Sequence, residues 1–135
     1  MTVMSNSLIL QNVTKLTSRV RLAAQKSQRS PRDISIVAAS KTRPAEIIEQ
    51  AFEAGLTNFG ENYLQESLEK IEQLRALKIV WHFIGPIQSN KTRSIAENFD
   101  WVHSVDRAKV ARRLSAQRPD NLPPLQLCLQ VNISQ

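Results

Sequence analysis

One cysteine, three glycines and one tyrosine are all that this 135-residue chain holds of those types. The lone cysteine, Cys128, excludes an internal disulfide, and its place in the apolar run Leu125–Val131 reads as a small buried hydrophobe. A reducing cytoplasm is the compartment that fits this usage. The three glycines, Gly55, Gly60 and Gly85, fall at expected helix or strand ends, where backbone geometry accounts for them. Neither glycine-rich nucleotide motif is present, so no phosphate cradle is encoded in these residues. No Cys/His cluster has metal-ligand spacing, and His82 and His103 are too far apart for a local motif. No apolar run approaches the roughly 20 residues that a membrane helix requires. Met1–Leu10 lacks the basic segment and long apolar stretch of a secretory signal.

What is abundant is charge. Eighteen Lys and Arg against twelve Asp and Glu give a net charge of +6. This raises the question of nucleic acid, but the basic residues are spread along expected helix faces and alternate with acids, as in Glu66, Glu69, Lys70, Glu72 and Arg75. Aromatics are only 5%, which leaves no stacking platform. A solvated surface accounts for most of this charge, and a nucleic-acid partner is not expected.

The apolar pattern alternates helix and strand. Ile9, Val13, Leu16, Val20 and Ala23 mark one face of a long first helix, with Ser5 or Asn6 as its cap and Ser30-Pro31 as its stop. Ile34–Ser40 is dense in Ile, Val and Ala, which reads as a strand buried on both faces. Pro44 suits the first turn of a helix that buries Ile47, Ile48, Ala51 and Phe52 and stops at Gly55. A short strand over 57–60 precedes the stripe Leu64, Leu68, Ile71, Leu74 and Leu77. A third strand, Ile79–Ile84, a helix capped by Ser89, a fourth strand, Trp101–Ser104, and a helix capped by Asp106 follow. After Pro119, Pro123 and Pro124 comes a fifth strand, Leu125–Ile133. Such alternation predicts an α/β fold of parallel βαβ units. About five strands behind an N-terminal helix fit an open sheet or a partial (β/α)8 TIM-type barrel, since a whole barrel takes about 250 residues.

Parallel sheets place ligands at the carboxyl ends of their strands. Lys41 ends the first strand. An ammonium at such a rim is poorly solvated, which favours the free amine, and free amines attack carbonyls. The alternative is a strand-end lysine reaching to water. The other strand ends carry Glu61, Asn62 and Tyr63; His82 with Gln88–Lys91; His103 and Ser104; and Asn132 and Ser134. Their convergence predicts a pocket for a small polar molecule. His82, inside an apolar strand, reads equally as a satisfied core histidine, and His103 reads as structural.

Several strings then become recognisable. Val37–Pro44 (VAASKTRP), Phe59–Glu66 (FGENYLQE), Trp81–Lys91 (WHFIGPIQSNK), His103–Arg107 (HSVDR) and Val131–Ser134 (VNIS) resemble the pyridoxal-phosphate homeostasis protein family, related to the barrel domain of alanine racemase. The resemblance covers nearly the whole chain. It implies a barrel-type domain binding pyridoxal 5′-phosphate (PLP) as an aldimine on Lys41, with Asn62 beside the cofactor ring and His82 on the pocket wall. It implies a monomeric cytoplasmic protein that acts in vitamin B6 and amino-acid homeostasis without turnover, with PLP-dependent apo-enzymes as partners and no membrane association. The family's phosphate-binding glycines, serine and arginine lie beyond the point matched by Gln135. Residues 1–135 are therefore expected to be a single N-terminal portion of the PLP-binding barrel, as a fragment or a truncated product, and to hold the cofactor weakly. The competing reading is a PLP-dependent amino-acid racemase, which needs an acid/base on each face of the bound amino acid. Lys41 serves one face, and the sequence offers no second base.

Overall fold

A computed structural model describes residues 6–134; Ser5 and any capping role for it lie outside them. The order is α1 (Asn6–Lys26), β1 (Val37–Ala39), α2 (Ala45–Glu53), β2 (Asn58–Glu61), α3 (Leu64–Gln73), β3 (Val80–Phe83), α4 (Thr92–Asn98), β4 (Trp101–Val105), α5 (Ala108–Gln117) and β5 (Gln126–Leu129). Short 3-10 turns occupy Pro31–Asp33 and Ser89–Lys91. All five strands are parallel and neighbours in sequence are neighbours in the sheet, β1-β2-β3-β4-β5. This is the expected α/β architecture, consistent with part of a barrel wall.

The sheet's two faces differ in kind. Strand alternation sends Phe59, Trp81, Phe83 and Val102 to the helix-covered face, where they meet Ile48, Leu74, Ile95, Val110 and Leu114. Phe83 and Phe99 pack edge to face at 5.3 Å. The intervening residues Asn58, His82 and His103 lie on the opposite face, linked to one another by hydrogen bonds. In α1 the buried line is Ile9, Val13 and Ala24. Leu16 and Ala23, expected on that face, are exposed, because a 3.6-residue turn carries the seam one position past Ala23.

The edge strands depart from expectation. β1 is three residues long, Val37 and Ala38 are half-buried, and Ala39 is exposed rather than buried on both faces. The cause is its edge position, paired on one side only. β5, at the other edge, is also shorter than expected and leaves Leu129 74% and Ile133 95% exposed. Cys128 there is half-buried. Neither expected side-chain cap forms. Ser89 begins the 3-10 turn before α4, and Asp106 lies against Arg107, which itself precedes α5. α1 ends at Lys26, ahead of Ser30-Pro31, and Gln28 follows at φ +57°. Gly60 lies inside β2 rather than at its end, and a side chain there would meet Ile84 Cδ1 at 2.6 Å.

Three arginines expected on a solvated surface instead bind backbone. Arg118 donates to the Ala96 and Phe99 carbonyls (both 2.7 Å) at the end of α4 and to Pro123 O (2.9 Å). Arg113 Nε donates to Ser89 O and Thr92 Oγ1, and Arg107 to Ile87 O. Helix carbonyls without intrahelical partners are natural acceptors for guanidinium groups.

Candidate functional site at the carboxyl rim

The rim is built from sheet register. Ala39, Gly60, His82 and Trp101 form one row across β1 to β4. Lys41 and Asn62 each follow that row by two residues on their own segments, so the two stand level beyond the carboxyl ends of β1 and β2. His82 sits two residues deeper, in that row itself.

Lys41 occupies a tight turn. Arg43 N donates to Ser40 O at 3.0 Å, and Thr42 stands at φ +65°. A left-handed β-branched residue is strained, and glycine or asparagine is usual at such a position. The Lys41 side chain is exposed. The poor solvation expected for it is absent here, where β1 has a neighbouring strand on one side only.

Beneath the turn lies a buried charge cluster. Lys70 Nζ, on α3, is 2.6 Å from Glu61 Oε1, 2.8 Å from Glu66 Oε1 and 3.0 Å from the Ser40 carbonyl. The side chains of Lys70 and Glu61 are 6% and 2% exposed. Burial raises the Glu61 pKa, opposed by the hydrogen bond and charge of Lys70. The hydrogen bond from Lys70 lowers the pKa of Glu66. Lys70 is therefore not part of a solvated alternating surface. It shares the inward face of α3 with Ser67 and Leu74, at spacings of three and four.

Asn62 buries its Oδ1 with no partner among the described residues. It lines a cavity of about 610 Å³ with Tyr63, Phe83, Gln88 and Lys91, which neither Lys41 nor His82 joins. Gly85 passes so close that a side chain there would meet Asn62 Cβ at 3.1 Å.

His82 has both ring nitrogens engaged. Nε2 lies 2.8 Å from Asn58 Oδ1, and Nδ1 lies 3.0 Å from His103 Nε2. Its ring stacks on Trp101 at 5.6 Å and 8°. Both ring nitrogens are thus satisfied within the sheet, with Asn58 and His103 as the partners. Burial, and secondarily the charge of His103, lowers the His82 pKa from the usual 6.5 to about 4. Neutral His82 donates from Nε2 to Asn58 and accepts at Nδ1 from His103.

Sequence reasoning singled out Lys41, Asn62 and His82 but missed the Glu61–Lys70–Glu66 cluster. The signal available was the Glu66-to-Lys70 spacing of four beside a strand-end acid.

No protein-family model matches the chain. Individual proteins do. It is 59% identical over 128 residues to the pyridoxal phosphate homeostasis protein of Pseudomonas aeruginosa, covering 95% of this chain and 56% of that protein. It is 47% identical over 129 residues to the protein of the same name from Escherichia coli K12, covering 93% and 55%. Among solved structures it resembles PipY of Synechococcus elongatus PCC7942 with PLP bound, at TM-score 0.72 and 42% identity, over 84% of this chain and 54% of PipY. The chain thus spans about half the length of the curated relatives it matches. By sequence and by fold, the chain is similar over nearly its whole length to about half of each pyridoxal phosphate homeostasis protein compared.

Proposed function

We propose that this chain forms part of a PLP-binding protein of intracellular vitamin B6 and amino-acid homeostasis, with Lys41 as the residue that holds the cofactor covalently. The observation that carries the reading is the exposed Lys41 amine at the carboxyl rim of a parallel sheet, in a chain akin to PipY, whose structure was solved with PLP bound. PLP supplies an aldehyde that condenses with a primary amine.

The residues fit the carbonyl end of such a ligand. Lys41 is accessible, and Asn62, level with it at the next strand end, buries an Oδ1 that lacks a partner among the described residues, in a neighbouring cavity that Lys41 does not line. They do not by themselves hold its phosphate. Of the three glycines, Gly60 is packed under Ile84, Gly85 against Asn62, and Gly55 ends a helix. Residues 1–135 are read as a single portion of the PLP-binding barrel domain that supplies the covalent anchor. Charge-assisted bonds to phosphate contribute about 1.5–3 kcal/mol each, so three or four of them strengthen retention by about a thousandfold or more.

The role is binding without turnover, in a cytoplasmic monomer that passes PLP to apo-enzymes. A racemase needs a second acid/base opposite Lys41. Tyr63, the only tyrosine, is 54% exposed and lines the Asn62 cavity, which Lys41 does not join. An absorbance titration with PLP, paired with a racemase assay on alanine, tests the reading. A visible band on binding that is lost in Lys41→Ala, with no racemisation, is expected. Racemisation abolished by Lys41→Ala establishes the enzyme instead.

A further inference from the structure

Two peptide groups flank Lys41, and both are bound from below by one buried cluster. The carbonyl of Ser40, before Lys41, accepts from Lys70 Nζ at 3.0 Å. The amide of Thr42, after Lys41, donates to Glu66 Oε1 at 3.1 Å. The same Glu66 oxygen pairs with Lys70 at 2.8 Å, and Glu61 completes the set at 2.6 Å. Lys70 Nζ therefore has two carboxylate oxygens and one carbonyl oxygen within 3.0 Å. Its amine is buried and committed, whereas that of Lys41 is exposed, so the two lysines have divided roles.

A buried ion pair is weak evidence for stability in itself, since apolar residues fill such a space as well or better. What apolar residues do not do is bind the Ser40 carbonyl and, through Glu66, the Thr42 amide. Thr42 at φ +65° gives the turn a reason to need binding. Without an acceptor for its N–H, the peptide after Lys41 is free to relax toward the extended region that a β-branched residue prefers. That relaxation swings the Lys41 Cα–Cβ vector away from the rim.

We infer that Lys70, through the Ser40 carbonyl and the Glu66 carboxylate, is a positioning residue that fixes the turn presenting the Lys41 amine to a carbonyl ligand. The inference rests on the Lys41 reading above. It assigns no ligand contact to Lys70.

A double-mutant cycle on the complete protein tests it, with the PLP dissociation constant as readout. Glu61→Gln/Lys70→Met removes both buried charges together, so neither is left unpaired. In the Lys41-containing protein it raises the dissociation constant by about tenfold or more. In a Lys41→Ala background it leaves residual noncovalent binding unchanged, because the cluster acts only through Lys41. An unchanged constant in the Lys41-containing protein, or an equal loss in both backgrounds, overturns the inference. Should the double variant fail to melt cooperatively, Glu66→Ala decides the matter, since the Glu66 side chain is 39% exposed and its loss leaves the Lys70–Glu61 pair intact. Glu66→Ala weakens binding, and Glu66→Gln, which keeps an acceptor for Thr42 N–H, restores it. No weakening by Glu66→Ala overturns the inference. If Lys41→Ala alone binds like wild type, the underlying reading falls and this inference falls with it, a result distinct from failure of the cycle.

Discussion

His82 Nδ1 and His103 Nε2 lie 3.0 Å apart on the inner face of the sheet, and only one of the two nitrogens has room to bring a proton to the contact. With Nε2 of His82 donating to Asn58, Nδ1 must accept. Protonated His82 donates from Nδ1 as well, so His103 must then change tautomer and accept at Nε2.

This sets a pH dependence. The folded chain holds His82 with a pKa near 4, below the unfolded 6.5, so folding disfavours the proton. The associated stability is fully present above pH about 6.5 and is lost as pH falls toward 4, on the order of 3 kcal/mol in all. Thermal melts between pH 7 and pH 4, an interval of about 3 units, should show this loss, and His82→Gln should flatten the profile. An identical slope in the variant contradicts the assignment.

Arg118 joins the end of α4 to the loop before β5 through three carbonyls. Arg118→Ala should cost about 2 kcal/mol in urea unfolding. Arg118→Lys should recover only part of this, because an ammonium lacks the planar fork that spans several acceptors. Full recovery by lysine shows that charge alone suffices there.

Phe99 is 1% exposed and packs edge to face with Phe83. Phe99→Ala should cost about 3–5 kcal/mol, with the midpoint lowered and the denaturant slope unchanged. A loss below about 1 kcal/mol contradicts the packing described, since a site this enclosed has little room to collapse.

Thr42 at φ +65° carries strain on the order of 1 kcal/mol or more. Thr42→Asn should raise the melting temperature, because asparagine tolerates the left-handed region. A lowered melting temperature shows that the threonine methyl packs usefully enough to outweigh the backbone cost.

How far the chain could be read in advance follows from the range of the interactions. The inward stripe of α3 repeats every three to four residues, so Leu64, Ile71 and Leu74 were legible as core. The rim positions of Lys41 and Asn62 were legible because each lies within two residues of a strand end. Lys70 was not, because a helix surface with alternating charges looks the same whether it faces water or the Glu61 carboxylate of β2. The Asn58–His82–His103 chain joins residues 24 and 21 positions apart, which only strand register brings together. An Ile, Val and Ala run reads as a strand paired on both sides, and within these 135 residues, about half the relatives' length, β1 pairs on one side only and leaves Lys41 exposed.

The account depends on which nitrogen takes the cofactor. Reduction of the PLP-loaded complete protein with borohydride, followed by peptide mass spectrometry, answers that directly. The account predicts the mass increase on the peptide containing Lys41 and its absence in Lys41→Ala. A label on Lys70 or on any other side chain in the wild-type protein, or no label at all, contradicts it.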